Sequence, residues 1–249
     1  MTEEEIVRIG LLYPTGGGEH EYYEFAEALD YRVRPYLVCA GLAGGKNSHA
    51  LEALKRTADI EALEVTARSL RPLHPDAATW ACTSGSFILG REYAQAQASA
   101  ISAVADCPAS STSLAFASAL AALRIDTVGV VATYPEPAAN AFAAFLGEFG
   151  VTVGAMRCLG APGGRASYRI PAERVMEVAA DLDSGDLQAI LIPDTATALF
   201  QAASGLEDSL GKPVISANQA TLWDALRLAG SGLRPRGFGR LLSGEWVAV

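Results

Sequence analysis

Short apolar runs alternate with stretches of helical spacing along almost the whole chain, and this alternation constrains the fold more than any single residue. Apolar runs occupy 6–13, 34–40, 77–81, 127–132, 151–158, 187–192 and 213–216, and a further short one spans 106–109. Helical spacing covers 19–29, 50–70, 87–104, 114–123, 138–149, 172–182 and 220–228. Strands that are apolar along their whole length are covered on both faces. Strand–helix alternation builds parallel sheets. The predicted class is therefore α/β, with parallel sheets between helical layers. The hydroxyls of Ser110, Ser111, Thr112 and Ser113 are natural caps for the helix that follows them.

The second half of the chain repeats the first in kind. Ile9-Gly10-Leu11-Leu12-Tyr13-Pro14 is echoed by Val128-Gly129-Val130-Val131-Ala132-Thr133. The strand entering Cys82-Thr83 is echoed by the strand entering Asp194-Thr195, and Cys107-Pro108 by Lys212-Pro213 with Ser216 and Asn218. Two similar Rossmann-like domains related by a pseudo-twofold explain the echo, one of 1–120 plus 222–249 and one of 121–221. The carboxyl ends of both sheets then face one cleft, as ligand sites in such sheets commonly do. Cys82 and Asp194 fall on its opposite walls.

Trp80-Ala81-Cys82-Thr83-Ser84-Gly85-Ser86-Phe87 places a thiol at the end of a strand, directly before a helical segment. Backbone N–H groups of residues 83–86 are expected to point outward there, favouring an anion and lowering the cysteine pKa. An inert, buried cysteine is the other reading. Asp194 is an acid/base candidate opposite Cys82, or else a cap for a helix starting near Ala196. Pro14-Thr15-Gly16-Gly17-Gly18 lacks the order of a nucleotide fingerprint and reads as a tight turn approaching a small ligand. Gly41-Leu42-Ala43-Gly44-Gly45 reads as a loop over the site or a plain connection.

Asn218 and Gln219 serve a ligand or fix a loop, and Trp223 packs in the core. Arg165 and Arg169 either meet a second carboxylate or sit in a solvated loop. His20, His49 and His74 stand without a partner pattern and read as surface residues.

Composition removes several functions. The net charge is −9 without a basic run, which argues against nucleic acid or an anionic membrane as partner. The four cysteines, Cys39, Cys82, Cys107 and Cys158, are widely spaced and only three histidines accompany them, so no metal site is expected. No signal-peptide layout opens the sequence and no apolar run spans a bilayer, so a cytoplasmic setting with reduced thiols is expected.

The stretch 80–86, Thr133-Tyr134-Pro135 with Asn140, and Pro213-Val214-Ile215-Ser216-Ala217-Asn218-Gln219-Ala220-Thr221-Leu222-Trp223 together resemble the aspartate/glutamate racemase superfamily. The resemblance runs from Ile9 to about Gly230 and is strongest to the branch of maleate cis-trans isomerases and arylmalonate decarboxylases. It implies a cofactor-free enzyme that holds a small carboxylate between two pseudo-symmetric domains. Homo-oligomerisation is left open. Cys82 matches the first superfamily cysteine, the nucleophile of maleate isomerases. Pro14, Thr15, Thr83, Ser84 and Tyr134 match the carboxylate cradle, Thr195 joins it by position, and Asn140 and Asn218 are further candidates.

Two departures stand out. Asp194 replaces the second cysteine, which the decarboxylases need, and the turn after the first strand lacks the asparagine of maleate isomerases. The expectation is an isomerase of a small carboxylate or dicarboxylate. The alternatives are a malonate-type decarboxylase using Cys82 as proton donor, and a carboxylate-binding protein without turnover.

Overall fold

The computed structural model describes residues 6–40 and 47–245, so the expected loop at 41–45 lies outside the described residues. Among the described residues, eight strands form two four-stranded sheets. The first contains β1 (Val7–Tyr13), β2 (Val33–Cys39), β3 (Ala77–Trp80) and β4 (Ala109–Ser111), in the order β2-β1-β3-β4. The second contains β5 (Thr127–Ala132), β6 (Thr152–Cys158), β7 (Ala189–Ile192) and β8 (Val214–Ser216), in the order β6-β5-β7-β8. Every pairing is parallel. The two sheets thus share one topology, as the sequence echo predicts.

The inner strands β3 and β7 are buried along their whole length, because helices cover both faces. The edge strands β2 and β6 carry the exposed Arg34 and Arg157, which suits a strand with one unpaired edge.

Two helices interlock the halves. α6 (Thr112–Leu123) is capped by Ser111, whose Oγ accepts the Leu114 N–H. Phe116 and Leu120 from α6 pack with Val128, Val130 and Ile215 of the second sheet. α11 (Ala217–Leu228) begins in a capping box between Ser216 and Gln219. Its Leu222, Ala225 and Leu226 pack with Ile9, Leu11 and Phe25 of the first half. The helices meet where the Thr112 and Thr221 hydroxyls lie 2.8 Å apart. Trp223 touches both cores, as expected.

The helical pattern at 50–70 splits into α2 (Leu51–Thr57) and α3 (Ile60–Ala67), followed by a single 3-10 turn at Arg71–Leu73. Asp59 causes the break: its carboxylate caps α3 through the Ala62 N–H at 2.8 Å. The pattern at 87–104 divides as well. Phe87 closes the short α4 (Thr83–Phe87), and α5 (Gly90–Ala105) starts at a left-handed glycine. The connection at 160–171 holds one short helix, α8 (Gly164–Tyr168). After β7 the chain runs without regular structure until α10 (Phe200–Leu210), so no helix starts near Ala196. Among the described residues, no helix is long and apolar enough to cross a membrane.

Candidate active site

The connections leaving β1 and β3 run to opposite sides of their sheet and leave a crevice at its carboxyl edge. The same holds for β5 and β7. The two crevices meet in one cleft of about 450 Å³, its open mouth included. Tyr13, Pro14 and Thr15 after β1 line it, with Cys82, Thr83 and Ser84 after β3 and Asp194, Thr195 and Ala196 after β7. A fourth wall comes from Asn47, Ser48 and His49.

Cys82 is buried and serves as the N-cap of α4, where its Sγ accepts the Gly85 N–H at 3.3 Å. The expected donor is therefore present, but its effect on acidity is outweighed. Burial pushes the thiol up to about 12, against the pull of the Gly85 and Ser84 hydrogen bonds, and Asp194 adds to the rise. The free protein holds a thiol rather than the expected low-pKa thiolate, because the desolvation of a buried charge exceeds the help of a one-turn helix.

Thr83 and Ser84 follow on the same turn, both buried. The Thr83 Oγ1 and the Tyr134 hydroxyl lie beside each other, and neither closes a hydrogen bond of good geometry. Tyr134 is shut from solvent, near Cys82 and Asp194, and its pKa is raised well above the ordinary tyrosine value, chiefly by burial. Two adjoining buried hydroxyls that satisfy each other poorly, Thr83 on the cleft wall and Tyr134 behind it, keep donor capacity for an acceptor.

Asp194 is buried opposite Cys82. Its Oδ2 accepts the Thr133 hydroxyl at 2.6 Å and its Oδ1 accepts the Ala196 N–H at 3.0 Å. The second bond closes a local turn two residues on, not a helix cap. Thr195 is buried beside it, and its carbonyl accepts from the Tyr13 hydroxyl at 3.0 Å.

His49 corrects the expectation of a surface residue. It is buried and lines the cleft, with its Nε2 4.0 Å from Asp194 Oδ2. Its Nδ1 lies 2.9 Å from the Ala161 carbonyl, and its ring packs edge-on against Tyr134 with centroids 4.7 Å apart. The His49 N–H donates to Pro162 O, and Asn47 Nδ2 to Thr15 O. Gly163 is required here: a Cβ would stand 2.2 Å from the Asn47 carbonyl.

Other candidates move away from the cleft. Asn140 is exposed on α7 (Glu136–Gly147). Asn218 is buried behind the wall: its Nδ2 donates to Glu21 Oε2, Thr195 O and Thr197 O, and its Oδ1 accepts the Tyr22 hydroxyl. It fixes the loop that carries Asp194. Gln219 likewise donates to Phe238 O. The 16–18 glycines pack behind the lining, Gly16 against Asn47, Gly17 against Tyr168 and Gly18 against the 195–196 backbone. A Cβ on Gly18 would meet the Thr195 carbonyl at 2.5 Å. Thr15 lines the cleft with φ of 55°, a strained value for a β-branched residue. Arg165 and Arg169 are exposed and flank an outer groove that shares Thr15 with the cleft.

A family model described as arylmalonate decarboxylase matches residues 41–242. The chain belongs to the arylmalonate decarboxylase family. It is 31% identical over 247 residues to the arylmalonate decarboxylase of Bordetella bronchiseptica, covering 97% of this chain and 98% of that one. Among solved structures it resembles a liganded arylmalonate decarboxylase mutant, with a glycine changed to cysteine and a cysteine to serine. That match has 26% identity and a TM-score of 0.82, and covers 94% of this chain and 98% of the other. It also resembles a cysteine-to-serine mutant of maleate cis-trans isomerase from Nocardia farcinica with a covalently bound succinylcysteine intermediate. There the TM-score is 0.87 at 22% identity, over 96% and 99% of the two chains.

Proposed function

We propose that this family member is a cofactor-independent isomerase of a small carboxylate or dicarboxylate, with Cys82 as nucleophile. One observation carries the reading: a buried thiol at a strand end faces a carboxylate across a cleft, with the poorly satisfied hydroxyls of Thr83 and Tyr134 beside it. The Cys82 sulfur, once deprotonated, forms a bond to an alkene carbon of the substrate. The π pair moves onto the adjacent carboxylate, which becomes an enediolate. Thr83, Ser84 and Tyr134 donate to those oxygens, with Pro14, Thr15 and Thr195 shaping the same pocket. Preorganised donors of this kind commonly supply the largest single catalytic contribution. Asp194 faces the carbon that gains a proton. Rotation about the resulting single bond and expulsion of the sulfur complete the isomerisation. The succinylcysteine intermediate of the Nocardia farcinica enzyme supports this sequence.

A second reading has its own support. The family model and the Bordetella relative bear the name of a decarboxylase, and a thiol pushed up to about 12 holds a proton to give. In that reading a C–C bond of a malonate-type diacid breaks, carbon dioxide leaves, and the Cys82 S–H protonates the enediolate. A cytoplasmic setting suits both, since Cys39, Cys82, Cys107 and Cys158 are all unpaired.

The test is proton NMR in deuterated water, with wild type and Cys82→Ala incubated with maleate, aryl- and alkylmalonates and 2-substituted acids. Wild type is expected to convert one of them and Cys82→Ala none, the product separating isomerase from decarboxylase. Equal conversion by both proteins would remove Cys82 from the chemistry.

A further inference from the structure

We infer that His49 is the base that takes the Cys82 proton and holds it, paired with Asp194, for delivery to the substrate carbon; this deepens the function proposed above and rests on it.

The argument starts from what the cleft offers as a base. Its described titratable walls are Tyr13, His49, Cys82 and Asp194, with Tyr134 packed behind His49, and among the described residues no Lys or Arg lines it. Burial keeps the two tyrosines protonated. Thr133 and Ala196 each donate to one Asp194 oxygen, which fixes the carboxylate with Oδ2 toward His49 as the counter-charge of the pair. His49 differs. The Ala161 carbonyl only accepts, so the Nδ1 beside it must carry a hydrogen. The neutral ring then has its lone pair on Nε2, the nitrogen that faces Asp194. The packing of Tyr134 against the ring and the Pro162 bond to the His49 N–H hold this orientation.

One proton accounts for the cycle. It crosses the cleft that Cys82 and His49 both line, passing by way of one water from Sγ to Nε2, and gives a thiolate and an imidazolium 4.0 Å from the Asp194 carboxylate. The sulfur pair forms the S–C bond, and the π pair moves to the neighbouring carbon and its carboxylate. That pair takes the Nε2 proton, which leaves His49 neutral. The reverse steps return the proton to Nε2 and then to sulfur. No oxidant, reductant or further reactant is needed. Nε2 thus serves both partners in turn, taking the proton that leaves sulfur and then holding it toward Asp194, while Nδ1 stays on the Ala161 carbonyl.

The test needs no substrate. Cys82 is alkylated with iodoacetamide from pH 5 to 9 in wild type, His49→Gln and His49→Ala, and the modified peptide is counted by mass spectrometry. Wild type is expected to react at least tenfold faster at pH 7 than either variant and to level off toward high pH, whereas both variants slow about tenfold per pH unit across the whole range as thiolate is lost. Added imidazole is expected to restore the rate in folded His49→Ala. Equal rates and profiles in wild type and variants would overturn the inference, as would folded His49→Ala left unrescued. If wild type alkylates as expected but converts no acid in the NMR panel, the proposed function fails while His49 stands. If wild type isomerises and the His49 variants alkylate like it, only His49 falls.

Discussion

Thr83 and Tyr134 bury two hydroxyls that lie beside each other and satisfy each other poorly, and an unsatisfied buried polar group costs about 1–3 kcal/mol. A protein keeps such a cost where a ligand removes it. Tyr134→Phe is therefore expected to leave the melting temperature unchanged or higher while lowering kcat about 10²–10³-fold, the usual cost of one oxyanion donor. A fall of several degrees would make the hydroxyl structural instead. At this scale the sequence was legible where chemistry sits on a strand end: Cys82, Thr83, Ser84 and Asp194 line the cleft, and Tyr134 packs behind His49. His49 was not, because its partners lie in loops 112 residues or more away in the chain. Cys82 was legible in place but not in protonation, since burial depends on the whole fold.

The segment between β7 and α10, which carries Asp194, is held from outside by α1 (His20–Ala28) and α11. Glu21 Oε1 accepts the Phe200 N–H at 2.6 Å and Oε2 accepts from Asn218. Burial lifts the Glu21 carboxyl from 4.5 to about 7 despite those two bonds. The folded state therefore binds this proton more tightly than the unfolded chain. The linked stability is fully present below 4.5 and lost as pH rises through 7. The loss amounts to about 3 kcal/mol at most. The melting temperature of wild type is expected to fall between pH 5 and 8 relative to that of Glu21→Gln, and parallel curves would contradict this. Under the 47–49 segment, Gly163→Ala would drive a Cβ into the Asn47 carbonyl. It is expected to cost about 1–3 kcal/mol in denaturant unfolding and to slow turnover by displacing the His49 segment. The helix break at Asp59 escaped the sequence reading although a local cap makes it, because unbroken helical spacing runs through it; the buried Gln97 amide, which donates to the Ala58 carbonyl, then fixes it from another helix.

Across the whole molecule, the repeated sheet order and the packing of α6 and α11 on opposite sheets make one cleft from two similar halves. The echo of Ile9–Pro14 in Val128–Thr133 revealed that plan because each strand's apolar pattern reports its own burial. The two walls differ in chemistry, with a thiol on one and a carboxylate with an imidazole on the other. The central claim is that the sulfur of Cys82 bonds to substrate between them. Mass spectrometry of wild type and Asp194→Asn, quenched in acid during turnover of the acid that the NMR panel selects, tests it most directly. The account predicts a protein fraction heavier by one substrate mass, mapped to the Cys82 peptide and enriched in Asp194→Asn. Continued isomerisation with Cys82 never modified, or with Cys82 replaced by alanine, would contradict it.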